Sequence, residues 1–424
     1  MRHIRGGTMS SQYALSSTGA SRLSAPGVPE AATLAGAYRS VRDHTEALSA
    51  SLTPEDQCVQ SMPDASPAKW HRAHTTWFFE TFVAVPHIPG YRAFDPRFGF
   101  LFNSYYEAVG ARHPRPARGL LTRPSADEVG AYRRAVDAAL IGWMADAPRE
   151  AAELIALGLQ HEQQHQELLA TDILHAMAQS PLSPAAIPDW RAPQPDRSAP
   201  TEIAFQGGIA SIGCRSQPDG VGGGFAFDNE GPRHRVLLAP FRLASHLVRN
   251  AAWLAFIEDG GYRTASAWMS DGWALAQAEG WEAPLYWRRQ DDGWQQMTLG
   301  GLQPLDLTAP VRHISWYEAD AFARWAGARL PTEAELEMAL SAASGCAELT
   351  GHVWQWTNSA YLPYPGFRAP PGAVGEYNGK FMINQMVLRG GSAATPPGHV
   401  RPSYRNFFPP EKRWQFSGLR LAFD

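Results

Sequence analysis

The stretch 151-AAELIALGLQHEQQHQELLATDILHAMA-178 decides how the first half of the chain is read. It is built from strong helix formers without proline, so its composition predicts one helix with 161-HEQQHQE-167 at its middle. Residues i and i+4 share a helix face, which sets His161 and His165 one turn apart and side by side. Two imidazoles on one face can chelate a single metal ion if a third ligand arrives from elsewhere in the fold. The same pair also suits a solvated helix with two surface histidines, so the third ligand has to be found.

Working outward, residues 31 to 180 read as helical throughout. The segments are 31-AATLAGAYRSVRDHTEALSASL-52, 66-SPAKWHRAHTTWFFETFVAV-85, 125-SADEVGAYRRAVDAALIGWMADA-147 and the histidine helix. Ser66-Pro67 and Ser125 to Glu128 resemble N-cap and first-turn chemistry. Four such helices predict a bundle over 31–180. The second segment offers His71 and His74, three apart on one helix. Bundle metal sites are built from facing helices, so either would complete a three-histidine set with His161 and His165, and the spacing does not choose between them. Three neutral imidazoles leave open positions on an octahedral metal, which suits a redox-active iron that binds substrate and dioxygen; a zinc or purely structural site would use the same residues.

Residues 181–200 follow as a proline-rich linker, and 201–424 as a glycine- and tryptophan-rich α+β domain. Its short alternating segments (FQGGIASIG, RHRVLLAPFRLA, MVLRGGSAA, GLRLAF) are interrupted by two helical runs around NAAWLAFIEDGG and YEADAFARWAG. A chain of 424 residues accommodates two such domains. With 44% hydrophobic and 18% charged residues and a net charge of −4, it lacks the basic excess of a nucleic-acid binder. Neither a membrane-spanning stretch nor the apolar core of a signal peptide in 1-MRHIRGGTMSSQ-12 is found, so a cytoplasmic protein without a membrane partner is expected. The eight residues before Met9 read as an upstream start or an added leader. Cys58, Cys214 and Cys346 show no CxxC spacing, so neither a disulfide framework nor a cysteine-ligated zinc is expected.

Several long strings carry a resemblance: WHRAHTTWFFE, LFNSYYEAVG with HPRPARGLLTRP, HEQQHQELL, ARLPTEAELE, GHVWQWTNS, LRGGS, YRNFFPP and RWQFSGLRLA. From about residue 35 to the C-terminus the chain resembles the ergothioneine sulfoxide synthase family. The resemblance implies an α+β protein, a DinB-like four-helix bundle joined to a C-type-lectin-like domain akin to the formylglycine-generating enzyme and sulfatase-modifying factors. It further implies a three-histidine non-haem Fe(II) centre that uses dioxygen to attach sulfur to C2 of the imidazole of hercynine, the trimethylated betaine of histidine. On that pattern His74 joins His161 and His165 as ligand, and His71 is a packed or hydrogen-bonding neighbour. Gln164 matches a glutamine that helps bind the hercynine ring. The trimethylammonium has no N–H to donate and is best held by aromatic faces, for which Phe407, Phe408, Trp414 and Phe416 are candidates. Tyr105 and Tyr106 resemble an active-site tyrosine pair that supplies a proton, and Tyr377 in EYNGKFM is the rival.

The sulfur donor is where the sequence departs from one branch of the family. Members that use gamma-glutamylcysteine carry an Asp four residues before the Arg of the terminal GxR, and here those positions are Phe416 and Arg420. The expectation is therefore a different donor, with Arg420 gripping a carboxylate and Arg112 or Arg115 assisting. A polar Gln415 would suit a hydroxylated donor, and a selenoneine-forming relative of the family uses a selenosugar. Cysteine or a selenosugar is thus the expected donor, and a sulfoxide or selenoxide the product. LRGGS is followed by Ala393, Ala394 and Thr395, without the cysteine pair that binds copper in formylglycine-generating enzymes, so that activity is not expected. Arg389, Gly390 and Gly391 read as turn residues, and Trp354 and Trp356 as core. A metal-dependent thiol transferase and a non-catalytic binding module are the alternative functions.

Overall fold

The computed structural model describes residues 31–214, 224–291, 293–342, 344–370, 375 and 378–424. Tyr377 and the residues before Met9 lie outside them. Helices α1 (Ala31–Ser49), α2 (Ala68–Phe79), α3 (Ala126–Trp143) and α4 (Arg149–Gln179) form the bundle, with α2 packed on both α3 and α4 and α1 on α4. The two carboxylates of the histidine stretch explain how α4 is held. Glu162 turns inward and accepts hydrogen bonds from Thr45 Oγ1 (2.6 Å), Arg42 Nη1 (2.8 Å) and Arg133 Nη2 (3.0 Å), joining α4 to α1 and α3. Burial opposes its charge, but the two guanidiniums outweigh that and hold its pKa below the ordinary carboxylate value.

Ser125 caps α3 in a reciprocal box with Glu128, as its sequence signals. Ser66 does not cap α2. Pro67 takes the cap position, and tertiary partners claim the serine instead: its N–H donates to Asp172 Oδ2 (2.8 Å) and its Oγ accepts from Arg118 Nη1 (2.9 Å).

The proline-rich stretch is docked rather than loose, because its few apolar residues find a surface. The Ile187 N–H donates to the Leu299 carbonyl (2.8 Å), and Trp190 packs beside Phe416 with ring centroids 6.3 Å apart. The second domain holds α5 (Asn250–Glu258), α6 (Ser270–Ala278), α7 (Trp316–Trp325) and α8 (Glu333–Ser341). Helices α5 and α7 are the two expected from the pattern; α6 and α8 correct it. Thr332 and Glu335 form a capping box at the start of α8, a local signal of that helix, whereas no side chain caps α6.

Strands β1 (Glu202–Phe205), β2 (Gly208–Ile212), β3 (His234–Leu238) and β4 (Phe241–Ala244) precede these helices or abut them. Strands β5 (Trp287–Gln290), β6 (Gly293–Thr298) and β7 (Gly301–Pro304) make a three-stranded meander. Strands β8 (Trp354–Ala360), β9 (Met386–Arg389), β10 (Asn406–Phe408) and β11 (Ser417–Gly418) form a sheet in the order β10-β9-β8-β11, while β12 (Ala422–Phe423) closes a sheet with β4 and β1. Edge strand β10 brings Phe407 and Phe408 to the bundle. Strand β11 runs parallel to β8 at the opposite edge, and the Trp354 N–H donates to the Phe416 carbonyl (2.9 Å).

Glu167 fastens the domains together. It accepts from Trp354 Nε1 (2.7 Å), Ser392 Oγ (2.6 Å) and Thr395 Oγ1 (2.7 Å), so Trp354 serves the interface as well as the core. Arg389 is fully buried between Glu333 (3.0 Å) and Glu337 (2.9 Å), more than a turn residue, while Gly390 and Gly391 do take left-handed turns. Among the described residues no helix is long and apolar enough to cross a membrane.

Candidate metal centre and substrate cavity

Helix α2 supplies His74 to the two histidines of α4, and one ring nitrogen from each of the three lies within 4.8 Å of the others. His74 Nε2 and His161 Nε2 are 3.2 Å apart. His74 Nδ1 sits 2.6 Å from the Phe102 carbonyl, which can only accept; Nδ1 therefore carries the proton and Nε2 offers its lone pair. Burial pushes the His161 pKa down to about 3, and burial with the neighbouring imidazoles pushes His74 and His165 well below the ordinary histidine value. Neutral imidazole is the ligating form. Three buried, neutral, convergent nitrogens without a carboxylate among them fit a divalent transition metal that keeps open positions. His71 stands behind this group: its Nδ1 lies 2.9 Å from His165 Nδ1. The choice that spacing leaves open is thus made by which face of α2 meets α4.

A cavity of about 360 Å³ opens beside His161 and His165, between α4, the 115–120 turn and the segment from β10 onward. Of the sequence candidates, Tyr105, Arg115, Gln164, Phe407, Phe408, Trp414 and Gln415 border it. Tyr106 does not: its ring stacks behind Tyr105 (4.6 Å between centroids) and packs on Phe82 and Trp77. Arg112 pairs with Glu107 at the surface.

Phe416 and Arg420 are also outside the cavity, which corrects the donor clamp read from them. Phe416 is core, edge-on to His313 (4.7 Å), and fully buried Arg420 gives its donors to Gln355 Oε1 (3.0 Å), the Ala244 carbonyl (2.6 Å) and the Ala347 carbonyl (2.5 Å). The physical reason is the β11 pairing, which turns 416–420 into the sheet. Phe408 and Lys412, also four residues apart, do face the cavity.

Arg118 was not singled out by the sequence, although it lies three residues beyond Arg115. It is 4% exposed, its guanidinium carbon lies 3.4 Å from the Trp70 ring centroid, and it donates to Ser66 Oγ (2.9 Å) and Ser104 Oγ (3.4 Å). Among the described residues no carboxylate lies within ion-pair distance of it. Burial, then the Arg115 charge, pull its pKa down to about 8. A guanidinium keeps its proton in proteins, so the shift marks a cation short of a counter-charge. Tyr404, Phe381 and Lys412 are further cavity residues without a role in the sequence reading. The Gln164 amide donates to Tyr404 OH (2.8 Å), and Lys412 Nζ reaches Asp64 (2.7 Å).

Comparison with known proteins gives the same two parts. Residues 37–169 match the DinB superfamily, and 189–346 with 340–424 match the FGE-sulfatase family, a sulfatase-modifying factor enzyme 1-like domain. The chain is 31% identical over 411 residues to a hercynine oxygenase of Mycobacterium tuberculosis, covering 87% of this chain and 93% of that protein. It is 31% identical to a hercynine oxygenase of Mycolicibacterium smegmatis, covering 86% and 92%. A formylglycine-generating enzyme of Streptomyces coelicolor is 34% identical over 182 residues, 38% of this chain and 54% of that protein.

Proposed function

Because the chain belongs to the hercynine oxygenase family and is an oxidoreductase of small-molecule substrates, we propose that it joins sulfur or selenium to C2 of the hercynine imidazole in ergothioneine or selenoneine biosynthesis. One C2–H, one donor S–H or Se–H and one dioxygen give the sulfoxide or selenoxide and one water. Ferrous iron held by His74, His161 and His165 would supply the electron transfer that activates dioxygen and would favour the donor's thiolate or selenolate. The observation that carries the reading is the convergence of three neutral, buried imidazoles beside a cavity lined with aromatic faces and with Arg118, which has no carboxylate within ion-pair distance among the described residues.

The hercynine trimethylammonium suits the aromatic side of the cavity, bordered by Tyr105, Phe381, Phe407 and Phe408. Gln164 offers its amide to the imidazole. Tyr105 is the proton donor on the cavity side, with Tyr377 as the second candidate. Arg118, with Arg115 and Lys412, would hold a carboxylate of the donor. Gln415 Oε1 is a buried acceptor that meets no hydrogen-bond donor among the described residues, and it suits an ammonium or a hydroxyl. A carboxylate favours an amino-acid thiol such as cysteine; the Gln415 acceptor keeps a selenosugar as the second reading. Phe416 and Arg420 supply no ground for excluding gamma-glutamylcysteine.

The test is aerobic and anaerobic incubation of iron-loaded protein with hercynine and cysteine, gamma-glutamylcysteine or a selenosugar, with products read by mass spectrometry. Dioxygen-dependent cysteine product is expected, and Arg118→Gln should weaken that donor by about 1–3 kcal/mol, the range for a lost hydrogen bond to a charged group. Turnover without dioxygen would replace the proposal with a metal-dependent thiol transferase. A selenosugar that outcompetes cysteine and ignores Arg118→Gln would move the assignment to selenium.

A further inference from the structure

We propose that Asp172 and His71 form a relay that fixes the tautomer and raises the donor strength of His165 as a metal ligand. The inference rests on the reading of the histidine triad as a metal centre. Asp172 Oδ2 lies 3.0 Å from His71 Nε2, and a carboxylate can only accept, so that nitrogen carries a proton. His71 Nδ1 is then left with its lone pair, 2.9 Å from His165 Nδ1, which must donate to it. The result at the far end is a His165 Nε2 lone pair. With the opposite polarity, a proton on His71 Nδ1 would force the His165 proton onto Nε2 and remove it as a ligand there.

The surroundings hold the relay in that polarity. His71, which also lines the cavity, is 3% exposed and Asp172 is 5% exposed. Asp172 also accepts the Ser66 N–H (2.8 Å) and the Trp414 indole N–H (3.3 Å), and with three N–H groups pointed at it the carboxylate has no freedom to turn. Trp414 belongs to the second domain and borders the cavity, so the carboxylate behind the metal ligand is completed by the domain that completes the substrate site. The arrangement differs from that of His74, which is backed by the neutral Phe102 carbonyl. A ligand oriented by a carboxylate through its remaining ring nitrogen is held in one tautomer and made more basic; here a second imidazole extends the connection by one ring. His71 and Asp172 are therefore positioning residues.

The experiment is an anaerobic Fe(II) titration and a Co(II) visible-absorption titration of the full chain, comparing wild type, His71→Phe, His71→Gln, Asp172→Asn, the His71→Phe/Asp172→Asn double variant and His161→Ala. Wild type should bind one ion, lost in His161→Ala; no loss there would overturn the metal-centre reading and the relay with it. Given that loss, His71→Phe and Asp172→Asn should each weaken the metal about 10–100-fold and shift the Co(II) bands. The double variant should be no weaker than the weaker single, because both act through one chain. His71→Gln should fall between wild type and His71→Phe, since its amide oxygen can take the His165 proton. Unchanged affinity in both singles, losses that multiply in the double, or equal loss in the Gln and Phe variants would overturn the relay while leaving the triad standing.

Discussion

Replacing His161 or His165 with alanine should reduce metal affinity beyond the ~10–100-fold of an outer-shell loss, measured by bound iron after desalting. His74→Ala should do the same and His71→Ala should retain more metal; the reverse order would move the ligand to His71. The burial of Phe407 and Phe416 gives a second contrast. Phe407 borders the cavity and stacks on Tyr361 (4.0 Å between centroids), so Phe407→Leu should weaken hercynine by about 0.5–2 kcal/mol in calorimetry, the scale of a cation–π contact, with a stability loss smaller than that of a core deletion. Phe416 is 1% exposed in the core, so Phe416→Ala should cost about 3–5 kcal/mol of stability and leave hercynine affinity in the surviving folded protein close to wild type. Both phenylalanines belong to one aromatic stretch in the sequence, and no periodicity there separates the β10 residue from the one preceding β11.

The polar ties of α4 make a prediction at the level of the element. Glu162 is fully buried, and its folded pKa lies below its ordinary value of 4.5, so it contributes stability that is present above 4.5 and lost as pH falls through the folded value. Urea unfolding of the metal-free protein should therefore weaken below about pH 4.5, and Glu162→Gln should flatten that component of the dependence. At pH 7 the substitution should cost on the order of 3 kcal/mol, because Arg42 and Arg133 lose a shared buried partner. An unchanged acid limb in Glu162→Gln would assign it to other carboxylates. The existence of α4 was legible from helix formers without proline, and that of α3 from its capping box. The partners of α4 were not, since Arg42 and Glu162 are 120 residues apart in the chain and meet only through packing.

At the scale of the molecule, Glu167 is one of several polar links between the domains, beside Asp172 with Trp414, Gln164 with Tyr404 and Asp64 with Lys412, and it gathers three donors from the second domain. Glu167→Ala leaves Trp354 Nε1, Ser392 Oγ and Thr395 Oγ1 without their acceptor, and a loss of about 1–3 kcal/mol per unsatisfied buried group should loosen the interface. The expected outcome is a broadened or two-step urea transition with a raised KM for hercynine; one sharp transition at the wild-type midpoint would show that the remaining interface suffices. By itself, the sequence determined the helical first half, the α+β second half, the His161 and His165 pair, and the motif strings that point to the family, because helix periodicity, caps and local strings are properties of neighbouring residues. Helix spacing left His71 and His74 open and the family resemblance pointed to His74; only the tertiary structure brings His74 within reach of the pair and decides that Arg118 and Lys412 face the cavity and that Phe416 and Arg420 do not. Those outcomes depend on which face of α2 meets α4 and which edge of the β8 sheet receives β11, and both are set by packing between segments far apart in the chain.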